Sequence, residues 1–155
     1  MDYRKAKRSD LEDWLGLADQ LWPGHSREEL RRVLEAILES DKEDAFVVRV
    51  ADNRAIGFMS VSLRFDYVPG AKNSPVAYVE WLYIEEEFRN RGIASRLIEC
   101  AEEWAREHGC VQLASDALLE NSGSQAFHGK LGFKEVERTV SFVKPVSKQD
   151  KGPSD

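Results

Sequence analysis

Arg89-Asn90-Arg91-Gly92-Ile93-Ala94 joins an apolar run, Val76 to Ile84, to a segment with helical spacing, and its residue types suit an anion. The first amides of a helix have no partners within it and point outward at the positive end of its dipole. Gly92 would let a phosphate reach the backbone, and glycine takes whatever φ the turn demands. Glu80 is a second chemical feature, because a carboxylate inside a strand-like run is costly to bury without a partner. Exposure on the solvent side of that strand is the plainer alternative. Asp116 and Asn121 follow another short apolar run, where aspartate commonly makes a turn and asparagine caps a helix. Cys100 and Cys110 have neither metal-ligand spacing nor a base partner; they are expected to be small core residues, and no metal is expected.

These groups need a scaffold, and periodicity supplies one. Tyr3 to Ala6 reads as a short strand. Ser9-Asp10-Leu11-Glu12 has the form of a capping box and opens a helix with the apolar face Leu11, Trp14, Leu15, Ala18, Leu21 and Trp22, ending at Pro23-Gly24. A second box, Ser26-Arg27-Glu28-Glu29, opens a helix that buries Leu30, Val33, Leu34, Ile37 and Leu38. Ala45 to Val50 and Ile56 to Phe65 read as a hairpin turning at Asp52-Asn53-Arg54. A loop with Pro69, Gly70 and Pro75 leads into Val76 to Ile84. After the anion motif, Ile93, Leu97, Ile98, Ala101, Trp104 and Ala105 keep helical spacing until His108-Gly109. Val111 to Ala114 is the next strand, Asn121 to Leu131 the next helix, and Phe133 to Val143 a final strand or pair of strands.

A chain of 155 residues, 42% hydrophobic and 32% charged, suits one domain with one substantial core. We assign residues 1–147 to that domain and residues 148–155 to a polar, flexible tail. Twenty-eight acidic against 22 basic residues give a net charge of -6. That balance argues against a general binder of nucleic acid or anionic membrane and suits a cationic substrate. No apolar run approaches a membrane span, and Met1-Asp2-Tyr3-Arg4-Lys5 lacks the apolar centre of a signal peptide, so a cytoplasmic protein is expected.

The order of elements, with Arg89-x-x-Gly92-x-Ala94, resembles the GCN5-related N-acetyltransferase (GNAT) family over nearly the whole chain. Leu82-Tyr83-Ile84 before the motif and Ala126-Phe127-His128-Gly129-Lys130-Leu131-Gly132-Phe133 after it strengthen the likeness. The resemblance implies an α/β (α+β) fold: a mixed, partly antiparallel sheet, splayed between Ile84 and Val111 and flanked by about four helices. It further implies acetyl-coenzyme A (acetyl-CoA) in the gap, held by Leu82, Tyr83, Ile84, Arg89, Asn90, Arg91, Gly92, Ile93, Ala94, Ser95, Asn121 and His128. Leu21-Trp22-Pro23-Gly24-His25, Arg64-Phe65-Asp66-Tyr67-Val68, Glu80, Ala114-Ser115-Asp116-Ala117 and Asn121 are similar to the aminoglycoside 6'-N-acetyltransferases. That likeness implies that Trp22, His25, Tyr67, Glu80, Asp116, Asn121 and Glu137 face the antibiotic, and that the protein is a homodimer using its final strands.

Such a reaction moves an acetyl group from a thioester to an amine that is mostly protonated at neutral pH, so a group must accept a proton. Asp116 is the preferred acceptor, with Glu80 positioning the substrate or a water. A backbone N–H near Leu82 to Ile84 would stabilise the oxyanion. Many GNAT members carry a tyrosine as the acid for the leaving thiolate where this chain has His128, leaving His128 or solvent to supply that proton. Each assignment has a structural counterpart: Trp22 in a core, Tyr67 anchoring a loop, Asn121 capping a helix, Glu137 on a solvated face, and the arginines as surface charge. Acetylation of a polyamine, another small amine or a protein amino group is the alternative activity. A non-catalytic acyl-CoA-binding module is the alternative class.

Overall fold

The computed structural model describes residues 1–148, so most of the expected tail, from residue 149 onward, lies outside the described residues. Five strands make one sheet in the order β1 to β5: β1 (Asp2–Lys5), β2 (Glu43–Arg49), β3 (Ala55–Arg64), β4 (Val76–Ile84) and β5 (Leu113–Ala114). The first three pairings are antiparallel and β4 with β5 is parallel. Helices α1 (Leu11–Leu21) and α2 (Arg27–Glu39) follow β1; α3 (Ile93–Glu107) follows β4; α4 (Ser122–Lys130) follows β5.

Strand alternation separates two apolar layers. Val47 and Phe58 pack with Trp14, Leu15, Ala18, Leu30 and Leu34 of α1 and α2, whereas Val48, Met59 and Val61 pack with Leu97, Ala101 and Trp104 of α3. Every residue assigned to the α3 face by its spacing is buried. Trp104 also donates from its indole nitrogen to Asp44 at 2.7 Å, which satisfies the one polar atom that its burial would strand.

Several local expectations change. The entry to α1 is closed by Asp10, whose carboxylate accepts from the Lys7 amide at 2.8 Å and from Arg49 at 2.7 Å, rather than by a box on Ser9. A single 3-10 turn, Arg8–Asp10, results. Ser26 does cap α2, accepting from the Glu29 amide at 3.1 Å. Val33, expected on the buried face, is exposed, because α2 meets α1 and the sheet mainly through Leu30, Leu34 and Ile37.

The largest correction concerns Phe133 to Val143, which forms no strand. A strand needs a neighbour for its backbone groups, and β5 is only two residues long. Val136, Val140, Phe142 and Val143 are instead 63 to 97% exposed. The short β5 is also what splays the sheet. It meets β4 only at Ala77 with Leu113 and Tyr78 with Ala114, so from Val79 to Ile84 that edge of β4 has no strand beside it.

Candidate active site

Glu80 occupies a bulge. Ser60 pairs with Trp81 and Val61 with Val79, leaving Glu80 as the extra residue of β4. A bulge places two successive side chains on one side of a sheet. Val79 and Leu82 accordingly join the α3 layer, while Trp81 and Tyr83 pack toward α1 and α2. Glu80 is then saturated by β3: Oε1 accepts from Ser62 Oγ at 2.6 Å and Arg64 Nε at 2.9 Å, and Oε2 from Arg64 Nη2 at 2.8 Å. The alternative of a solvated carboxylate does not hold, since β3 supplies its partners.

The Arg64 guanidinium lies 3.4 Å from the centroid of the Tyr78 ring. Tyr78 in turn donates its hydroxyl proton to Asp116 Oδ2 at 2.6 Å. Burial, followed by the bond to Asp116, pushes the Tyr78 phenol far above its ordinary value, so it remains a donor at neutral pH. The hydrogen bond to Glu80 likewise raises Arg64. Among the described residues, Asp116 Oδ1 takes no hydrogen bond.

Asp116 opens onto a cavity of about 620 Å³ lined by Tyr78, Ser115, Leu119, His128 and Glu137, with the stretch from Leu131 to Thr139 along one wall. Gly70 lies where loop and wall meet. A Cβ there would stand 2.7 Å from Val136 Cγ1, and the residue has φ +77. His128 binds the Ser124 carbonyl through Nδ1 at 2.7 Å and Ser115 Oγ through Nε2 at 2.8 Å. A carbonyl only accepts, so Nδ1 carries a proton, and Nε2 shares the second hydrogen bond with the Ser115 hydroxyl.

The anion turn is built from backbone. Asn90 and Gly92 both take left-handed φ values, 63 and 81, and no atom lies within 4 Å of where a Cβ on Gly92 would be. Gly92 is the N-cap of α3, leaving the amides of Ile93, Ala94 and Ser95 facing outward. Arg89 Nε donates to the Ile84 carbonyl at 2.8 Å, tying the turn to the end of β4. Arg91 lies over Phe88, and Arg96 is paired with Glu99. An open glycine, free helix amides, two arginines and the unpaired edge at Leu82 to Ile84 are the groups that a pyrophosphate and its amide-bearing arm require, so the residues present fit acetyl-CoA.

The other sequence candidates divide. Trp22, at the end of α1, is half-buried and meets Trp81 edge-on at 4.8 Å, close to the Glu80 face. His25 is exposed and lies 3.8 Å from Glu29. Tyr67 is 83% exposed, and Asn121 accepts from the Ser124 amide at 2.9 Å as the cap of α4. His25, Tyr67 and Asn121 do not line the cavity that holds Asp116, whereas His128 and Glu137 do. Sequence reasoning missed Ser62 and Tyr78 and gave Arg64 and Ser115 no role. Ser62 with Arg64 and Tyr78 with Glu80 are two apart on a strand, a spacing that puts each pair on one face. That signal was available; the pairing of Ser62 with Tyr78 was not. Cys100 and Cys110 are buried free thiols, and burial raises both.

Comparison with known proteins follows the same lines. A family model described as the acetyltransferase (GNAT) family matches residues 9–133. Aminoglycoside N(6')-acetyltransferase type 1 of Salmonella typhimurium is 42% identical over 144 residues, which are 93% of this chain and 99% of that protein. The protein of the same name from Serratia marcescens is 44% identical over 137 residues, 88% of this chain and 94% of its own. The solved structure of AAC(6')-Iy in complex with the bisubstrate analogue CoA-S-monomethyl-acetylneamine superposes with a TM-score of 0.88 at 41% identity. It covers 94% of this chain, which in turn covers 98% of it. With a splayed mixed sheet, an open glycine turn at the head of α3 and these likenesses along almost its full length, the chain belongs to the GNAT family of acetyltransferases.

Proposed function

We propose that this protein is an aminoglycoside 6'-N-acetyltransferase, moving the acetyl group of acetyl-CoA to the 6'-amino group of the antibiotic by direct attack in a ternary complex. Antibiotic resistance is the cellular outcome. The observation that carries the reading is Asp116, which lines the cavity beyond the end of β5 with one oxygen held by Tyr78 and the other taking no hydrogen bond among the described residues. Relatives bearing that activity in their names match nearly the whole chain.

Acetyl-CoA supplies the activated thioester. Asp116 accepts the proton that the substrate ammonium must lose. Glu80, held in place by Ser62 and Arg64, orients a cationic substrate or a water. The free backbone edge between Leu82 and Ile84 provides the N–H that stabilises the oxyanion. Trp22 offers the polyamine an aromatic face and Glu137 a carboxylate. Both nitrogens of His128 are engaged, which favours solvent as the proton source for the leaving thiolate.

The reading extends to a homodimer in which Phe133 to Val143 finds the strand neighbour that a single copy lacks, and to the cytoplasm, where acetyl-CoA is available. No helix among the described residues is long and apolar enough to cross a membrane. Sedimentation tests the dimer. For the activity, release of free thiol is compared for kanamycin, tobramycin, spermidine and a lysine peptide. Turnover with the aminoglycosides is expected. Turnover with spermidine alone would overturn the antibiotic assignment, and tight acetyl-CoA binding without thiol release from any amine would leave a binding module.

A further inference from the structure

Glu80 and Asp116 stand on strands that separate, yet an unbroken line of side chains joins them. Ser62 and Arg64 hold both oxygens of Glu80. Arg64 stacks on the Tyr78 ring at 3.4 Å, and the Tyr78 hydroxyl reaches Asp116 at 2.6 Å. Backbone pairing places the link. Tyr78 is opposite Ser62 on one side and Ala114 on the other, so it is the last β4 residue paired with β5 before the splay opens. Asp116 follows the end of β5 by two residues and has no strand of its own to hold it.

We infer that Tyr78 is a positioning residue for Asp116, and that Arg64, stacked on Tyr78 while gripping Glu80, fixes the separation of the two carboxylates across the splay. The phenol suits this task, because it stays a donor over the working pH range and its side chain is buried with Val68 and Val76 under the Arg64 guanidinium. The inference rests on the reading of Asp116 as the proton acceptor.

Tyr78→Phe keeps the ring beneath Arg64 and removes only the hydroxyl. The expected result is a fall in kcat of roughly tenfold to a hundredfold, the range that one lost hydrogen bond to a charged group represents. The KM for acetyl-CoA and the thermal midpoint stay near those of the parent. A double-mutant cycle carries the test. If Tyr78 acts through Asp116, Y78F combined with D116N is no slower than D116N alone, within about twofold. Arg64→Lys should retain more kcat than Arg64→Met, since it keeps the charge that faces Glu80.

A Y78F enzyme at the parent rate beside a slow D116N would overturn the link and leave Asp116 as the acceptor. Independent, multiplying losses in the cycle would overturn it as well. D116N at the parent rate would remove the acceptor and the link together. Should Y78F not fold, Arg64→Met decides by the same split of kcat against KM, because Arg64 is 40% exposed and its loss spares the core.

Discussion

The two ends of the proposed active site are made differently. The donor end, Arg89 to Ser95, is seven consecutive residues whose chemistry lies in the backbone: two left-handed residues, an open glycine and free amides at the head of α3. The proposed acceptor end draws Trp22 from the end of α1, Ser62 and Arg64 from β3, Tyr78 and Glu80 from β4 and Asp116 from beyond β5, and its chemistry lies in side chains. A site built from contiguous backbone tolerates changes of side chain but not of conformation. A site assembled from four elements has the opposite sensitivity.

Asp116→Asn gives the largest expected effect, a loss of kcat of about 10² to 10⁴ with the KM for acetyl-CoA kept within twofold. A rate within twofold of the parent would break the contrast at its acceptor end. Gly92→Val comes next, because a β-branched residue at φ 81 strains the turn and fills the space a phosphate needs. A rise of about tenfold or more in the KM for acetyl-CoA is expected, with the aminoglycoside KM little changed; steady-state kinetics with each substrate varied in turn will show it.

Asn121→Ala should lower stability by about 1 kcal/mol through loss of the α4 cap, measured by urea unfolding. A large rise in aminoglycoside KM without a stability loss would instead give Asn121 a direct substrate contact. Arg91→Ala has the smallest expected effect, about a threefold rise in the KM for acetyl-CoA that shrinks further in high salt. A hundredfold rise would show that side chains, not backbone, hold the donor, and the contrast between the two ends would need redrawing.

Legibility follows the same division. The donor turn was readable because its parts are neighbours in the chain, and the faces of α1 and α3 were readable because a helix repeats its buried side every three or four residues. Asp116 and Glu80 were recognised as individual carboxylates, but not the roles of Arg64, Tyr78 and Ser115, whose meaning depends on what each touches. Phe133 to Val143 shows the opposite failure: its composition is that of a strand, and composition says nothing about whether an edge is present to pair with it.

By itself the sequence determined the order of elements from β1 to α4, most of the buried faces and the glycine turn before α3, because these depend on local φ preference, periodicity and adjacency. Only the tertiary structure decided that Glu80 sits in a bulge saturated by Ser62 and Arg64, that Asp116 keeps a free oxygen beside Tyr78, and that β5 ends after two residues. Those outcomes depend on strand register, and register is set by packing between segments far apart in the chain.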